Sequence, residues 1–277
     1  MAIASAPAAA GWELTPIASD LGAARQADEV VRRAYDSRDR GMPFIKLIQP
    51  NMATKTMPPG HFIQSLKEQD LGEEVLAVVL HIFQVRSLYR GEFGSPDREL
   101  VCGSHDCVTG TGEPGGPCGD CRFARRTVTL DENGVRKVQA PACTIRHLYV
   151  IWPVAFEGGT ADDAHLRALR GAGPAIFGMQ RSALRNARKW DSLLADARGG
   201  EGYGIVFRLS AEEAKGRGGN VIYVPNPTVA HEIRDEDILD ELRRHCHAIA
   251  QAKEQVLPPL PALDEDEEEP EPALAGR

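Results

Sequence analysis

No stretch of this 277-residue chain is apolar for long enough to cross a bilayer. A membrane helix needs about 18 or more apolar residues, and the longest run, residues 75–83, is interrupted by His81. The first ten residues lack the basic flank of a secretory leader and place Pro7 inside an alanine run, so residues 1–20 read as a disordered lead-in. A chain of this kind is expected in the cytoplasm, where thiols stay reduced. Internal repeats are absent. So are H-E-x-x-H, any H-x-E accompanied by C-x-x-C, and a carboxylate cluster in the body of the chain, which argues against hydrolytic metal chemistry and for a protein that is not an enzyme.

Charge is abundant but unevenly spread. Forty acidic residues outweigh 32 basic ones, for a net charge of −8. From residue 257 onward Asp264, Glu265, Asp266, Glu267, Glu268, Glu269 and Glu271 face the single base Arg277, so residues 1–256 carry only −2. The body is near neutral and the acid sits in a tail, 257–277, too charged and too poor in aromatics to fold alone. Such an asymmetry marks a partner-binding device.

The body, residues 21–256, is expected to be a mainly β, α+β domain. Apolar residues at helical spacing predict a surface helix over 23–38. Pro43 introduces a short strand over 44–48. Residues 75–90 are β-branched and too long for one flat strand, so they are expected to bend or to continue as the long curved strand of a small barrel. In their second half Phe83, Val85 and Ser87 alternate with Gln84, Arg86, Leu88 and Arg90. Strand-like sequence returns at 145–155, 204–209 and 221–224, with a glycine-rich turn at 216–220. A helix over 179–197 would gather Met179, Ala183, Ala187, Trp190 and Leu194 on one side and Arg181, Arg185 and Arg188 on the other, at about 100° per residue. A last helix is expected over 235–253. There His245, Cys246 and His247 diverge too far to share one ion and read as structural residues.

Residues 91–143 form an insertion of Gly, Pro, Cys and charge that cannot build an apolar core. It holds five of the six cysteines, Cys102, Cys107, Cys118, Cys121 and Cys143, with His105 among them. In a cytoplasmic chain that density favours a metal over disulfides. Cys118-Gly119-Asp120-Cys121 has the spacing of a zinc knuckle. A structural zinc, with a binding energy of roughly 10 kcal/mol or more, can organise such a segment. Four ligands suffice, and the expected set is Cys102, Cys118, Cys121 and Cys143, where Cys102 and Cys143 close the insertion at its base and Cys107 or His105 is the substitute for Cys102. A catalytic zinc would use three protein ligands and a neighbouring acid such as Glu113 or Asp120.

The order Phe44-Ile45-Lys46-Leu47-Ile48-Gln49-Pro50, Pro59-Gly60-His61-Phe62, then Cys102-Gly103-Ser104-His105-Asp106 through Gly115-Gly116-Pro117-Cys118-Gly119-Asp120-Cys121 to Cys143 resembles phage-type single-stranded DNA-binding proteins. The resemblance covers residues 43–245 in order of elements, with specificity only in the cysteine block. It implies an OB-like small β-barrel bearing a zinc insertion, flanked by helices and followed by an acidic tail. Its pattern has glycine where this chain has Cys107, which makes Cys107 the extra cysteine. The implied function is to coat single-stranded DNA in replication or recombination, in the host cytoplasm where the chain is phage-encoded, with the tail recruiting partner proteins or competing for the DNA site. Basic and aromatic residues suited to phosphates and stacked bases occur at Lys46, Arg86, Tyr89, Arg90, Arg146, Tyr149 and Trp152, and the track extends through Arg125, Arg126, Arg181, Arg185 and Arg188. Each residue also has a plain structural alternative, core packing for the aromatics and a solvated helix face for the arginines. The alternative for the whole chain is a zinc-stabilised interaction or transcription-regulatory module whose tail mimics DNA.

Overall fold

The computed structural model describes residues 14–16, 42–91, 98–130, 132–134, 136–169, 173–197, 202–216, 219–252 and 257. The lead-in, the helix expected at 23–38 and the acidic tail therefore lie outside the described residues. Strands β1 (Leu14–Pro16), β2 (Phe44–Leu47), β3 (Phe62–Gln64) and β4 (Gln69–Asp70) precede the 17-residue β5 (Glu74–Arg90). Five short strands follow: β6 (Glu99–Ser104), β7 (Thr109–Gly112), β8 (Gly116–Pro117), β9 (Thr127–Leu130) and β10 (Arg136–Gln139). A second long strand, β11 (Thr144–Phe156), leads to β12 (Leu166–Leu169) and β13 (Ala175–Gln180). Helix α1 (Leu184–Ala195), strands β14 (Ile205–Lys215) and β15 (Val221–Glu232), and helix α2 (Glu236–Gln251) complete the described chain. No helix among these residues is long and apolar enough to cross a membrane.

The small OB-like barrel is not what these strands make. Their hydrogen-bonded order runs β4-β3-β2-β13-β11-β5-β6-β7-β8, with β1, β12, β14 and β15 branching from it, and the sheet stays open. It is mixed, because β13 pairs with β2 in parallel while the other pairs with an assigned register are antiparallel. A barrel requires its terminal strands to meet, and here the two longest strands take partners in series instead. β5 pairs with β14 over Glu74 to Val78 and with β6 over Arg86 to Arg90. β11 pairs with β13 over Arg146 to Ile151 and with β12 over Val154 to Phe156. The β-branched run of β5 thus extends an open sheet rather than curving round a closed one.

The chain divides into two compact units, one of Met1–Gln84 with Arg146–Pro258 and one containing Val85–Ile145. In the first, α1 covers the sheet with Ala187, Trp190 and Leu194, while Arg185 and Arg188 stay exposed, as the wheel requires. The helix starts later than its periodicity suggests: Met179 is held in β13 opposite His147, and a 3-10 turn over Arg181–Ala183 intervenes. Trp190 is fully buried, stacked on Tyr149 at 4.2 Å between ring centres and edge-on to Phe207 at 5.6 Å. The Tyr149 hydroxyl lies 2.8 Å from Asp191 Oδ1 and 3.0 Å from the Ala187 carbonyl. Burial, then the Asp191 charge, pushes this hydroxyl well above its ordinary range, so it remains a donor.

β14 and β15 run on to a full hairpin because they stay paired to Lys215 and Val221, where the Gly216 amide donates to the Asn220 carbonyl at 2.7 Å. Pro225 and Pro227 disguise the second strand. Among the described residues β15 pairs with β14 alone, so its prolines interrupt no second ladder. The Asn186 side chain of α1 donates to the Pro225 carbonyl at 2.8 Å. Helix α2 begins at Asp235, whose Oδ1 accepts from the Asp237 and Ile238 amides. Asp163 secures the approach by accepting from the Arg234 and Asp235 amides and contacting His231 at 2.6 Å. Inside the helix His245 sits 3.0 Å from Glu241, and both are buried.

Two measurements test this packing. Tyr149→Phe keeps the ring stack but removes the donor to Asp191 Oδ1, leaving His147 Nδ1 2.8 Å from Oδ2, and should cost about 1.5–3 kcal/mol in urea denaturation; an unchanged midpoint would show that the hydroxyl contributes nothing. The hydrogen bond to His245, chiefly, holds the Glu241 carboxyl below its ordinary 4.5. A depressed carboxylate stabilises above its unfolded pKa and loses that contribution as pH falls through its folded value. Glu241→Gln should therefore be destabilising at neutral pH, and the gap to the parent should close as acid is added below pH 4.5; a gap constant with pH would contradict this.

Candidate functional site

The cysteines gather in the Val85–Ile145 unit, where the strands are short and the apolar cluster is small. Leu88 of β5, Cys102 of β6 and Cys143 just before β11 form its buried centre, with half-buried Val101 and Phe123 against them. Cys118 is buried directly after β8, while Cys107 and Cys121 are half-buried. Backbone bonds set the positions: the Cys118 amide donates to the Val108 carbonyl at 2.7 Å, the Cys143 amide to Phe123 at 2.9 Å and the Ala124 amide to Cys121 at 3.0 Å. The loop from β6 to β7 is pinned by Asp106, whose Oδ1 accepts from the Val108 and Thr109 amides and from the Ser104 hydroxyl. Those amide bonds, Thr109 first, draw its carboxyl down to about 2. Cys107 follows at φ +62°, a left-handed conformation that favours glycine.

Burial, first, raises the thiols of Cys107 and Cys143, and the charge of the nearby Arg86 guanidinium opposes it. Cys118 is near enough to both of these cysteines, and Cys102 to Cys143, for charge on one sulfur to disfavour charge on the next. The sulfurs as placed do not converge: among the described residues no three His, Cys, Asp or Glu side chains form a group that could hold a metal ion. The donor chemistry fits a thiolate-binding ion all the same. The thiols of Cys102, in β6, and Cys143, just before β11, share one cluster, with Cys118 of the knuckle close to Cys143, and Gly110 leaves open the space beside Cys102, where an added β-carbon would stand 3.0 Å from Sγ.

The residues expected to line a nucleic-acid track have varied placements. In the first unit Lys46, Arg181, Arg185 and Arg188 are exposed, Arg146 and Trp152 are half-buried, and Trp152 meets His245 in a T-shaped contact at 4.6 Å. Tyr149 is 0 % exposed and offers no open ring face to a base. In the second unit the Tyr89 ring lies under Arg98 at 4.0 Å, Arg90 pairs with Glu113 at 2.7 Å, and Arg125 pairs with Asp120 at 3.0 Å. Arg126 is exposed, and Arg86 belongs with the cysteines rather than with the solvent-facing cations. The flanking histidines of α2 part company: His245 turns to Glu241, whereas Cys246 and His247 line a hollow of about 450 Å³ with His81, Tyr203 and Arg243.

Sequence reasoning missed the ribbon β9–β10, a separate two-stranded sheet exposed at every position. Its signal was Asn133-Gly134 between alternating segments. Leu130 faces Arg136, Thr129 faces Lys137 and Val128 faces Val138. Arg126 and Arg136 are exposed and make no ion pair among the described residues.

Gly110→Ala should displace the Cys102 sulfur and cost about 1–3 kcal/mol as an overpacked site; a thermal melt identical to the parent would show that this contact is not restrictive. In comparison with known proteins, no family model, no curated protein and no solved structure matches the chain.

Proposed function

We propose that the protein is a non-enzymatic single-stranded DNA-binding protein of replication or recombination, with a structural zinc on the cysteines of the Val85–Ile145 unit and an acidic tail, Asp264 to Glu271, that recruits partners or competes for the DNA site. The open sheet removes the barrel from this reading and leaves the chemistry. The observation that carries it is the ribbon β9–β10, where Arg126, just before it, and Arg136, within it, stand exposed and make no ion pair among the described residues, on an element that also carries Thr127, Thr129, Lys137 and Gln139. Unpaired guanidinium groups on an exposed ribbon suit phosphates, because binding releases counterions without first breaking an internal salt bridge. Zinc would supply what the unit's few apolar residues do not, a fixed junction between β6, the knuckle and β11.

One observation favours the second reading, a zinc-stabilised protein-interaction or regulatory module. Val128, Leu130 and Val138 are 46, 71 and 47 % exposed and, by register, share one face of the ribbon. Such a face suits a protein partner.

Anisotropy of labelled oligo(dT) across a salt series separates the two. The parent should bind, weaken with salt and prefer the single strand to duplex, with an oligo(U) arm reporting any RNA preference. The double change Arg126→Ala with Arg136→Ala should weaken binding and flatten the plot of log K against log salt by about 1.4, at about 0.7 per single-strand phosphate. No binding by the parent at low salt, or equal affinity for duplex, would sink the DNA reading.

A further inference from the structure

The ribbon β9–β10 is a sheet of two strands. Each strand therefore keeps one row of backbone donors and acceptors that meets no strand among the described residues. Two strands alone are marginally stable in water, and a further strand or a covered apolar face is what completes them. The ribbon has no buried position: Val128, Leu130 and Val138 are exposed together with its polar residues. Its two edges differ. Proteins guard an open edge with charge, above all lysine, or with proline or a bulge. β10 reads Arg136-Lys137-Val138-Gln139 and carries such a guard. β9 reads Thr127-Val128-Thr129-Leu130, with no charge and no proline, and its ladder with β10 runs without a register shift.

That charge pattern selects the occupant. Two β10 edges brought together would set arginine and lysine against arginine and lysine, whereas two β9 edges oppose no charge of like sign. Antiparallel pairing of a strand with its own copy is the isologous contact of a two-fold dimer. Its axis is normal to the sheet and keeps each face on its own side, so directly opposite residues come from the same face. With Thr129 on the axis, Val128 of each copy lies opposite Leu130 of the other, and both apolar residues of the strand gain an apolar neighbour. Centring on Val128 would set Leu130 against Arg126 instead. We propose that β9 pairs with β9 of a second copy of this chain, antiparallel and centred on Thr129, to make a four-stranded sheet whose outer strands carry Arg136 and Lys137. Four residues a side give a small contact, so the association belongs to the weak, concentration-dependent class. The pairing stands whether or not the chain holds zinc or binds DNA.

Sedimentation velocity of the full chain without nucleic acid, over a concentration series, tests the pairing. The parent should shift from monomer to dimer as concentration rises. Thr129→Lys and Thr129→Glu each set like charges opposite one another on the axis, at an exposed position where no core is disturbed, and each should lose the dimer. An equimolar mixture of the two should regain it, because lysine then meets glutamate. Gln139→Lys, on the outer strand, should leave the dimer intact. A parent that stays monomeric throughout, or that dimerises only when oligo(dT) is added, would overturn the proposal. So would Thr129 variants that dimerise as the parent does, or loss of the dimer in Gln139→Lys. A mixture of the Thr129 variants that stays monomeric would also overturn it, since local damage to the ribbon is not repaired by a partner of opposite charge.

Discussion

Every residue of a strand presents backbone donors and acceptors along its edges, and β5 presents them for 17 residues. Satisfying that length is the constraint on which the rest of the molecule depends. One short neighbour cannot cover it, so β14 takes the first part and β6 the last, and the chain between them is free to build different things on the two. On the first part stands an aromatic core closed by α1, where Trp190 meets Tyr149, Phe177 and Phe207. On the last part stands a cluster of Leu88, Cys102 and Cys143, too small to hold about sixty residues by apolar burial alone.

That imbalance explains why the second unit relies on polar and sulfur chemistry. Asp106 gathers two amides and a hydroxyl, and the knuckle amides bond back to neighbouring carbonyls. Where the first unit solves its burial problem with rings, the second uses turns and thiols. The proposed zinc belongs to the same logic, in which a few strong local interactions replace many weak ones.

Elements whose signal is local were legible in the sequence. The long strand β5, the strand β11, the outer arginines of α1 and the extent of α2 follow from periodicity and from an Asp at the helix start. What escaped depends on partners far away in the chain. Met179 continues a helical pattern but is claimed as strand by His147, and Pro225 and Pro227 read as breaks until β15 is known to lie beside a single neighbour. Tyr149 and Tyr89 look alike as tyrosines on strands, yet one is sealed under Trp190 and the other lies beneath Arg98. The barrel was inferred from the length of residues 75–90 and from the resemblance, and no local pattern reports whether strand ends meet. At the candidate site the cysteine grouping was visible from spacing, whereas the placement of Arg86 on the same ladder face as Cys102 depends on strand register and is invisible in the order of residues.

The ribbon β9–β10 has no buried side. Its side chains face one another across the ladder and none of them is buried, so exchanging them opens no cavity in a core. In most proteins a surface that recognises something is also the outer layer of something packed, and changes to one are limited by the other. Here no ribbon side chain belongs to the aromatic core or to the cysteine cluster, so the charge and apolar character of the ribbon can be altered without removing a side chain from either.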